Sequence, residues 1–449
     1  MTSVRVESDI FGELEIPREA LFGVNTQRTV QNLSFSGRTL SQYPEYIQTL
    51  SLVKKAAAKA NVEGGILSEQ VYNSISFACT EISSGIHNGH FPVDMLHGGG
   101  GIGVNMNVNE VIANVANEYL GGERGTYSPV HPVEHVNASQ STSDVCHTAI
   151  RMAILVSYQS LKRQIESLIE AIEDKVVEFQ EVTTISRTCL QDGMRIKVGE
   201  SLSGYAAGFK RCGIGIADSM NALYQVNLGG TVIGSGTGAP VTYRDVVVER
   251  LCDISGLPLK LRDNLFDAAK NIDDLARVSG ELRIFASSLI KMAKDFRLLS
   301  SGPKAGFAEF QLPATQAGSS FFPGKVNPVL PETLIQCGFQ VIACDRAVQA
   351  TLEHGELDLN VFEGAAGANI LEAMKMLECT LKHFTSGCIR GLEVNRQRCE
   401  ELSNSIIPLT VDLKEAHGYQ FVSRLLKEEG PEGVKNYSEI GGDTSGTNQ

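Results

Sequence analysis

An apolar heptad repeat in the second half of the sequence constrains the fold more than any other feature. Its a and d positions are Leu275, Val278, Leu282, Phe285, Leu289, Met292, Phe296 and Leu299. An unbroken pattern over four heptads is typical of the seam of a helix bundle or coiled coil. Because a single helix cannot cover its own seam, the sequence predicts a bundle that is completed by other subunits.

Other stretches have the same helical character. Apolar residues recur at helical spacing over 161–176, 334–348 and 370–384, whereas the alternation typical of strands is scarce. We expect helices of roughly 25–35 residues, which is long against a mean of about 11–12. The sequence therefore predicts an all-α chain. Its polar, glycine-rich end, residues 438–449, is expected to be a disordered tail.

Composition excludes several classes of protein. Lys and Arg total 39 against 52 Asp and Glu, so the net charge of −13 argues against a nucleic-acid partner. No apolar run approaches the ~18 residues that indicate a membrane span, and the first residues lack the apolar core of a secretory signal. The ten cysteines include no C-x-x-C pair, so no metal site is predicted. Free thiols in a cytoplasmic protein are the expectation.

A glycine-rich segment interrupts the helical pattern at residues 98–110. It contains a G-x-G-x-x-G spacing at Gly98, Gly100 and Gly103. No strand precedes it, so the pattern does not favour a dinucleotide site. The segment either turns the chain or forms a backbone-lined anion site at the start of a helix.

Two polar segments also lie between predicted helices. The sequence of residues 186–192 is compatible with either a plain turn or part of a functional site. Residues 135–144 carry more hydroxyl groups than one helix N-cap needs, at Ser139, Ser141, Thr142 and Ser143.

A fourth segment, residues 317–332, has glycines and prolines around four polar side chains: Ser319, Ser320, Lys325 and Asn327. Lys325 and Asn327 are two apart, so both can face one ligand from an extended stretch. Gly318 and Gly324 suit a mobile loop.

These motifs resemble the aspartase/fumarase superfamily. Gly318-Ser-Ser-Phe-Phe-Pro-Gly-Lys-Val-Asn is similar to its G-S-S-x-M-P-x-K-x-N signature, and Lys325 to Glu332 is closer to the aspartase than to the fumarase branch. Further segments match in the family's order: residues 22–28, residues 105–114, Ser139-Gln-Ser-Thr, Leu190-Gln-Asp, Asn227-Leu-Gly-Gly-Thr and Leu357-Asp-Leu-Asn-Val-Phe.

The resemblance implies an all-α, three-part subunit. We expect an N-terminal domain over 1–140, a central domain of long helices over 141–395 and a small C-terminal domain over 396–449. The central helices of such proteins associate into the bundle of a homotetramer, with active sites shared between subunits. No cofactor is implied, and the expected partner is a small amino or dicarboxylic acid.

The resemblance also implies a carbon–nitrogen lyase that performs an anti β-elimination on an aspartate-like acid and gives fumarate or a related product. Ser319 would be the general base on a mobile loop. Ser141, Thr142 and Ser320 would bind the carboxylate next to the carbanion. The other carboxylate would be bound by Thr188, Lys325 and Asn327.

Three positions depart from the family's pattern, and all three belong to its leaving-group pocket. Ile102, Ser143 and Cys189 stand where the family has Thr, Asn and His. We expect them to line one wall, near Ser319 but opposite Lys325. Glu332 matches the glutamate that usually partners the missing histidine.

Ile102, Ser143 and Cys189 would solvate an ammonium group poorly. The sequence therefore favours a bulkier or N-substituted amine, or another leaving group. It also predicts poor activity on aspartate itself. Plain aspartate ammonia-lyase, fumarate hydratase and a non-catalytic structural relative remain the alternatives. The sequence does not identify the group that is expelled.

Overall fold

The structure is a computed structural model that describes residues 3–441, and helices account for most of them. The predicted all-α fold is confirmed. The long helices of the middle of the chain are α5 (Thr142–Glu178), α6 (Val198–Met220), α10 (Asp273–Leu299), α11 (Val329–Glu353) and α12 (Glu363–Phe384). None of the helices in the described part is long and apolar enough to cross a membrane.

The remaining α-helices lie before, between and after these. They are α1 (Val24–Leu33), α2 (Pro44–Glu63), α3 (Glu69–Ser83), α4 (Ile102–Tyr119), α7 (Val241–Arg244), α8 (Val247–Ser255), α9 (Leu265–Lys270), α13 (Arg396–Ser403), α14 (Ile406–His417) and α15 (Tyr419–Gly441). Helix α15 is interrupted at Gly430. It includes residues 438–441, where the sequence predicted a tail, and residues 442–449 lie outside the described part.

The strands form small two-stranded sheets. Antiparallel pairs are β1 (Val4–Asp9) with β2 (Gly12–Pro17), β3 (Thr183–Thr188) with β4 (Gln191–Lys197), and β7 (Phe310–Gln311) with β8 (Glu393–Val394). A parallel pair joins β5 (Gln225–Val226) and β6 (Lys260–Leu261). The β3–β4 hairpin occupies the segment that the sequence suggested as a plain turn.

The described chain divides into two compact units. Unit 1 contains the residues up to Lys162, Gly213–Ala286 and Phe339–Glu378. Unit 2 contains Arg163–Cys212, Ser287–Gly338 and the residues from Cys379 onward. The division into three parts at residues 140 and 395 stays a prediction.

The heptad residues of α10 are buried within a single chain. Leu275, Val278, Leu282 and Phe285 in unit 1 are at most 1% exposed. In unit 2, Leu289, Met292 and Phe296 are equally buried, and Leu299 is half-buried. The chain's own residues therefore cover this seam, and completion of the bundle by other subunits stays a prediction.

Buried ion pairs tie three helices together in unit 1. Arg151 of α5 is fully buried and bonds both Asp274 of α10 and Glu363 of α12. Arg262 also donates to Asp274, at 2.8 Å. Burial raises the pKa of the two carboxyl groups, but the charges of Arg151 and His147 outweigh it. The pKa of Asp274 and that of Glu363 each fall to about 2.

Candidate active site

The glycine-rich segment forms a tight turn into α4. Gly99, Gly100 and Gly101 all have positive φ angles, of 78°, 62° and 91°. A Cβ atom at Gly101 would lie 3.2 Å from Cys146 Sγ, so glycine is required there both by its conformation and by its close neighbour. The turn places Ile102, 47% exposed, at the first position of α4.

The hydroxyl-rich segment is organised by the buried Asp144. Its carboxylate accepts hydrogen bonds from the backbone N–H groups of Ser141, Gly229 and Thr231, at 2.9, 3.0 and 3.1 Å. These bonds join the start of α5 to the loop at 227–231, another motif of the resemblance. Burial raises the pKa of Asp144 to about 6, although the three donors and Lys54 favour its ionised form.

A polar network that the sequence did not reveal lies next to Thr142. Asn137 Oδ1 accepts from Lys54 Nζ at 2.8 Å and from the amides of Asn105 and Asn109, at 3.0 and 3.2 Å. Asn105 also donates to Thr142 Oγ1, at 3.0 Å. Lys54 is completely buried on α2, and burial lowers its pKa to about 7. Apolar residues recur at helical spacing around Lys54, and this pattern was the sequence signal that could have predicted its burial.

The hydroxyl group of Ser143 is hydrogen-bonded to the protein backbone. Its Oγ donates to the carbonyl oxygens of Thr231 and Val232, at 2.8 and 2.7 Å. Ser143 also lines a cavity of about 220 Å³ in unit 1, between the glycine-rich turn and residues 359–365. A residue that the resemblance assigns to the leaving group therefore faces open space.

The serine loop of unit 2 is held closed by its own backbone. Gly318 N donates to Lys325 O at 3.0 Å, and Asn327 Nδ2 donates to Gly318 O. Ser319 Oγ accepts hydrogen bonds from the N–H groups of Phe321 and Phe322, at 3.0 and 2.8 Å. The two bonds of Gly318 hold its backbone, next to Ser319, close to Lys325 and Asn327.

Side chains on the serine loop are largely accessible. Ser320 and Lys325 are exposed, and Ser319 and Asn327 are half-buried. Lys325 Nζ lies 5.8 Å from the centre of the Phe322 ring.

Thr188 and Cys189 are exposed at the tip of the β3–β4 hairpin. Cys189 and Leu190 form the two-residue turn and have positive φ angles of 55° and 61°. Such angles are uncommon for non-glycine residues, and they fit the turns that close two-residue hairpins. Glu332 does not lack a partner, since Arg297 Nη2 lies 3.2 Å from its carboxylate.

The structure therefore groups the predicted residues in two sets. Unit 1 holds Ile102, Ser141, Thr142 and Ser143, and unit 2 holds Thr188, Cys189, Ser319, Ser320, Lys325 and Asn327. Their union in one site, and the single wall expected for Ile102, Ser143 and Cys189, stay predictions. Among residues 3–441 no group of three His, Cys, Asp or Glu side chains is placed to hold a metal ion.

Comparison with known proteins assigns the chain to a family. Residues 12–343 match the family described as lyase. The chain belongs to this lyase family. It is 39% identical over 427 residues to the aspartate ammonia-lyase of Bacillus sp, an alignment that covers 95% of this lyase and 91% of that protein.

Solved structures agree with this assignment. A fumarate lyase:delta crystallin from Brucella melitensis, bound to cobalt, has a TM-score of 0.94 and 40% identity, covering 98% of this lyase and 96% of that chain. A class II fumarase from Schistosoma mansoni has a TM-score of 0.91 and 30% identity, with coverage of 98% and 93%. The predicted carbon–nitrogen lyase of the aspartase/fumarase superfamily is confirmed.

Proposed function

We propose that this lyase eliminates an amine from an aspartate-type acid and that Ser319 is the general base. Relatives named aspartate ammonia-lyase, which align over 95% of the chain, support the substrate class. The observation that carries the role of Ser319 is the pair of backbone N–H groups that donate to its Oγ. Fixed donors stabilise negative charge on an oxygen atom, so they favour a deprotonated serine.

The proposed elimination proceeds in two steps, removal of the Cβ proton and cleavage of the C–N bond. Ser319 Oγ takes the proton from Cβ, and the electron pair of that bond is delocalised into the adjacent carboxylate as a dianion. The pair then forms the Cα–Cβ double bond while the C–N bond breaks and nitrogen leaves with its electrons. Donors preorganised around the dianion lower the barrier by several kcal/mol.

Hydroxyl groups and one lysine suffice to hold the two carboxylates. Thr142 Oγ1 accepts a hydrogen bond from Asn105, so its own hydrogen is available to a carboxylate. With Ser141 and Ser320, it would hold the carboxylate next to the carbanion. Thr188, Lys325 and Asn327 would hold the other, and all three are exposed or half-buried in the single chain.

A homotetramer in the cytoplasm, with sites shared between subunits, is part of the proposal. Large apolar side chains remain exposed on the long helices, including Val177 of α5, Ile214 of α6 and Phe339 of α11, at 65%, 61% and 53%. Association would bury this surface. The acidic net charge of −13 does not favour nucleic acid as a partner.

The deciding experiment is Ser319→Ala, assayed by the ultraviolet absorbance of the unsaturated product. Loss of a general base should lower kcat by about 10²–10⁴-fold without unfolding the protein. Ser386→Ala, at an exposed serine of unit 2, is the control and should retain activity. Full activity of Ser319→Ala would show that the base is another group.

We also propose that aspartate is a poor substrate. Ammonium is a hydrogen-bond donor, but Ile102 offers it no acceptor and the thiol of Cys189 is only a weak one. Burying a polar group without partners costs about 1–3 kcal/mol in proteins. The combined reversal Ile102→Thr, Ser143→Asn and Cys189→His should therefore raise kcat/KM for aspartate relative to the native substrate. Robust activity of the unaltered lyase on aspartate would contradict this.

A further inference from the structure

We infer that the cavity beside Ser143 receives an organic group carried by the leaving nitrogen. The substrates would then be N-substituted aspartates with a small, uncharged, apolar substituent. This inference rests on the proposed elimination and deepens it, because it names what the leaving group carries.

The cavity is large enough and mostly apolar. Its volume of about 220 Å³ far exceeds the ~10–15 Å³ that one water molecule requires. Its walls include Met95, Val104, Ile150, Leu359, Val361 and Phe362. Small residues of the glycine-rich turn and Cys146 leave the space open between these side chains. A pocket of this kind binds apolar groups.

Polar side chains on the wall are already bound to other parts of the protein. Glu363 forms an ion pair with Arg151, and its carboxylate lies 3.0 Å from His147 Nδ1. His97 is bonded through both ring nitrogens, to Asp94 O at 2.6 Å and to Gly103 N at 3.0 Å.

Asn360 is bonded in the same way. It donates to Thr351 O and accepts from Phe362 N, both at 3.0 Å. A charged substituent would have to compete for these paired groups, so the cavity favours an uncharged one.

The cavity adjoins the residues assigned to the leaving group. Ser143 lines it directly, and Gly101, which also lines it, immediately precedes Ile102. Because the Ser143 hydroxyl donates its single hydrogen to backbone carbonyls, its lone pairs remain to accept from an N–H of a substituted ammonium. A group on that nitrogen can then extend past Ser143 into the cavity.

A substituted ammonium also fits the rest of the chemistry. When the Cα–N bond of a protonated secondary amine breaks, nitrogen keeps the electron pair and leaves as a neutral primary amine, and the Cβ proton goes to Ser319. The leaving nitrogen already carries the proton it needs. Elimination therefore needs no imidazole at position 189, where this chain has cysteine.

The test compares L-aspartate, N-methyl-L-aspartate and N-butyl-L-aspartate on the intact enzyme, with fumarate formation as the readout. Each methylene transferred from water into an apolar pocket improves binding about fourfold. We expect kcat/KM for the butyl compound to exceed that for aspartate at least tenfold. Cys146→Phe, which fills the cavity, should lower this ratio at least tenfold.

Val361→Phe fills the cavity from a different lining residue, so it replaces Cys146→Phe if that variant does not fold. Ile86→Phe adds the same ring at an exposed position and should leave the ratio unchanged. If aspartate is the better substrate and neither filling variant changes the ratio, the inference is overturned while the elimination stands. If no compound yields fumarate, the proposed function itself is overturned.

Discussion

Arg151 and Asp274 lie 123 residues apart, yet they form a buried two-pronged ion pair in which Nε and Nη2 bond the two carboxylate oxygens at 2.7 and 2.9 Å. Arg151 also pairs with Glu363. One guanidinium therefore pairs with two carboxylates in the interior of unit 1. Its loss would leave them without this charge.

Arg151→Met should destabilise the protein by about 3–5 kcal/mol, because breaking a buried pair leaves uncompensated charge. Urea denaturation followed by circular dichroism measures this. The control is Arg277→Met. Arg277 is exposed on α10, where it pairs with Asp273 of that helix at 3.3 Å. That change should cost at most about 1 kcal/mol. Equal effects of both variants would contradict the role of Arg151.

Lys54 should make stability depend on pH above neutrality. Its folded pKa is about 7 against an ordinary value of 10.5, so between these values the unfolded chain binds more protons. Stability contributed by Lys54 is then present above pH 10.5 and is lost as the pH falls through 7.

The free energy of unfolding should consequently rise by about 2 kcal/mol from pH 7 to pH 9 relative to that of Lys54→Met. Denaturation at the two pH values provides the comparison. Lys55→Met is the control, because Lys55 is the next residue and its ammonium bonds the Thr80 hydroxyl at 3.0 Å. This variant should keep the wild-type pH dependence, and an identical response in Lys54→Met would refute the prediction.

Gly318→Ala should disable the serine loop without unfolding the protein. A Cβ atom there would lie 2.1 Å from Lys325 O and 3.0 Å from Asn327 N, so the loop would have to open. Displacement of catalytic groups by about 1 Å can cost 10²-fold in rate. We expect kcat/KM to fall at least about tenfold with little change in Tm. Gly89→Ala, where the added methyl group meets open space, should retain activity.

Phe339→Glu should weaken the tetramer. The ring is 53% exposed on α11, and a charge there would oppose burial between subunits. Sedimentation velocity should show the wild-type chain at four times its own mass and the variant at smaller species. Ile86→Glu, at an exposed apolar residue outside the long helices, is the control. A monomeric wild-type protein would rule out the proposed assembly.

Sequence alone determined the elements that depend on local pattern. The heptads at 275–299 predicted a helix that the structure has at Asp273–Leu299. The signature at 318–327 identified a loop that is closed by hydrogen bonds between Gly318 and both Lys325 and Asn327. Periodicity shows which face of a helix is apolar, and a motif fixes residues that are close in the chain.

Tertiary structure alone decided what covers each face. The heptad seam is buried by the chain itself. Periodicity identifies the apolar face of a helix but does not specify what covers that face. Lys54 and Lys55 are adjacent residues of the same type, but only Lys54 is completely buried. The hairpin at 183–197 has Cys189 and Leu190, and not glycine, at its turn, and both residues adopt positive φ angles there. Burial, charge pairing and strand pairing depend on residues distant in sequence, which local patterns do not specify.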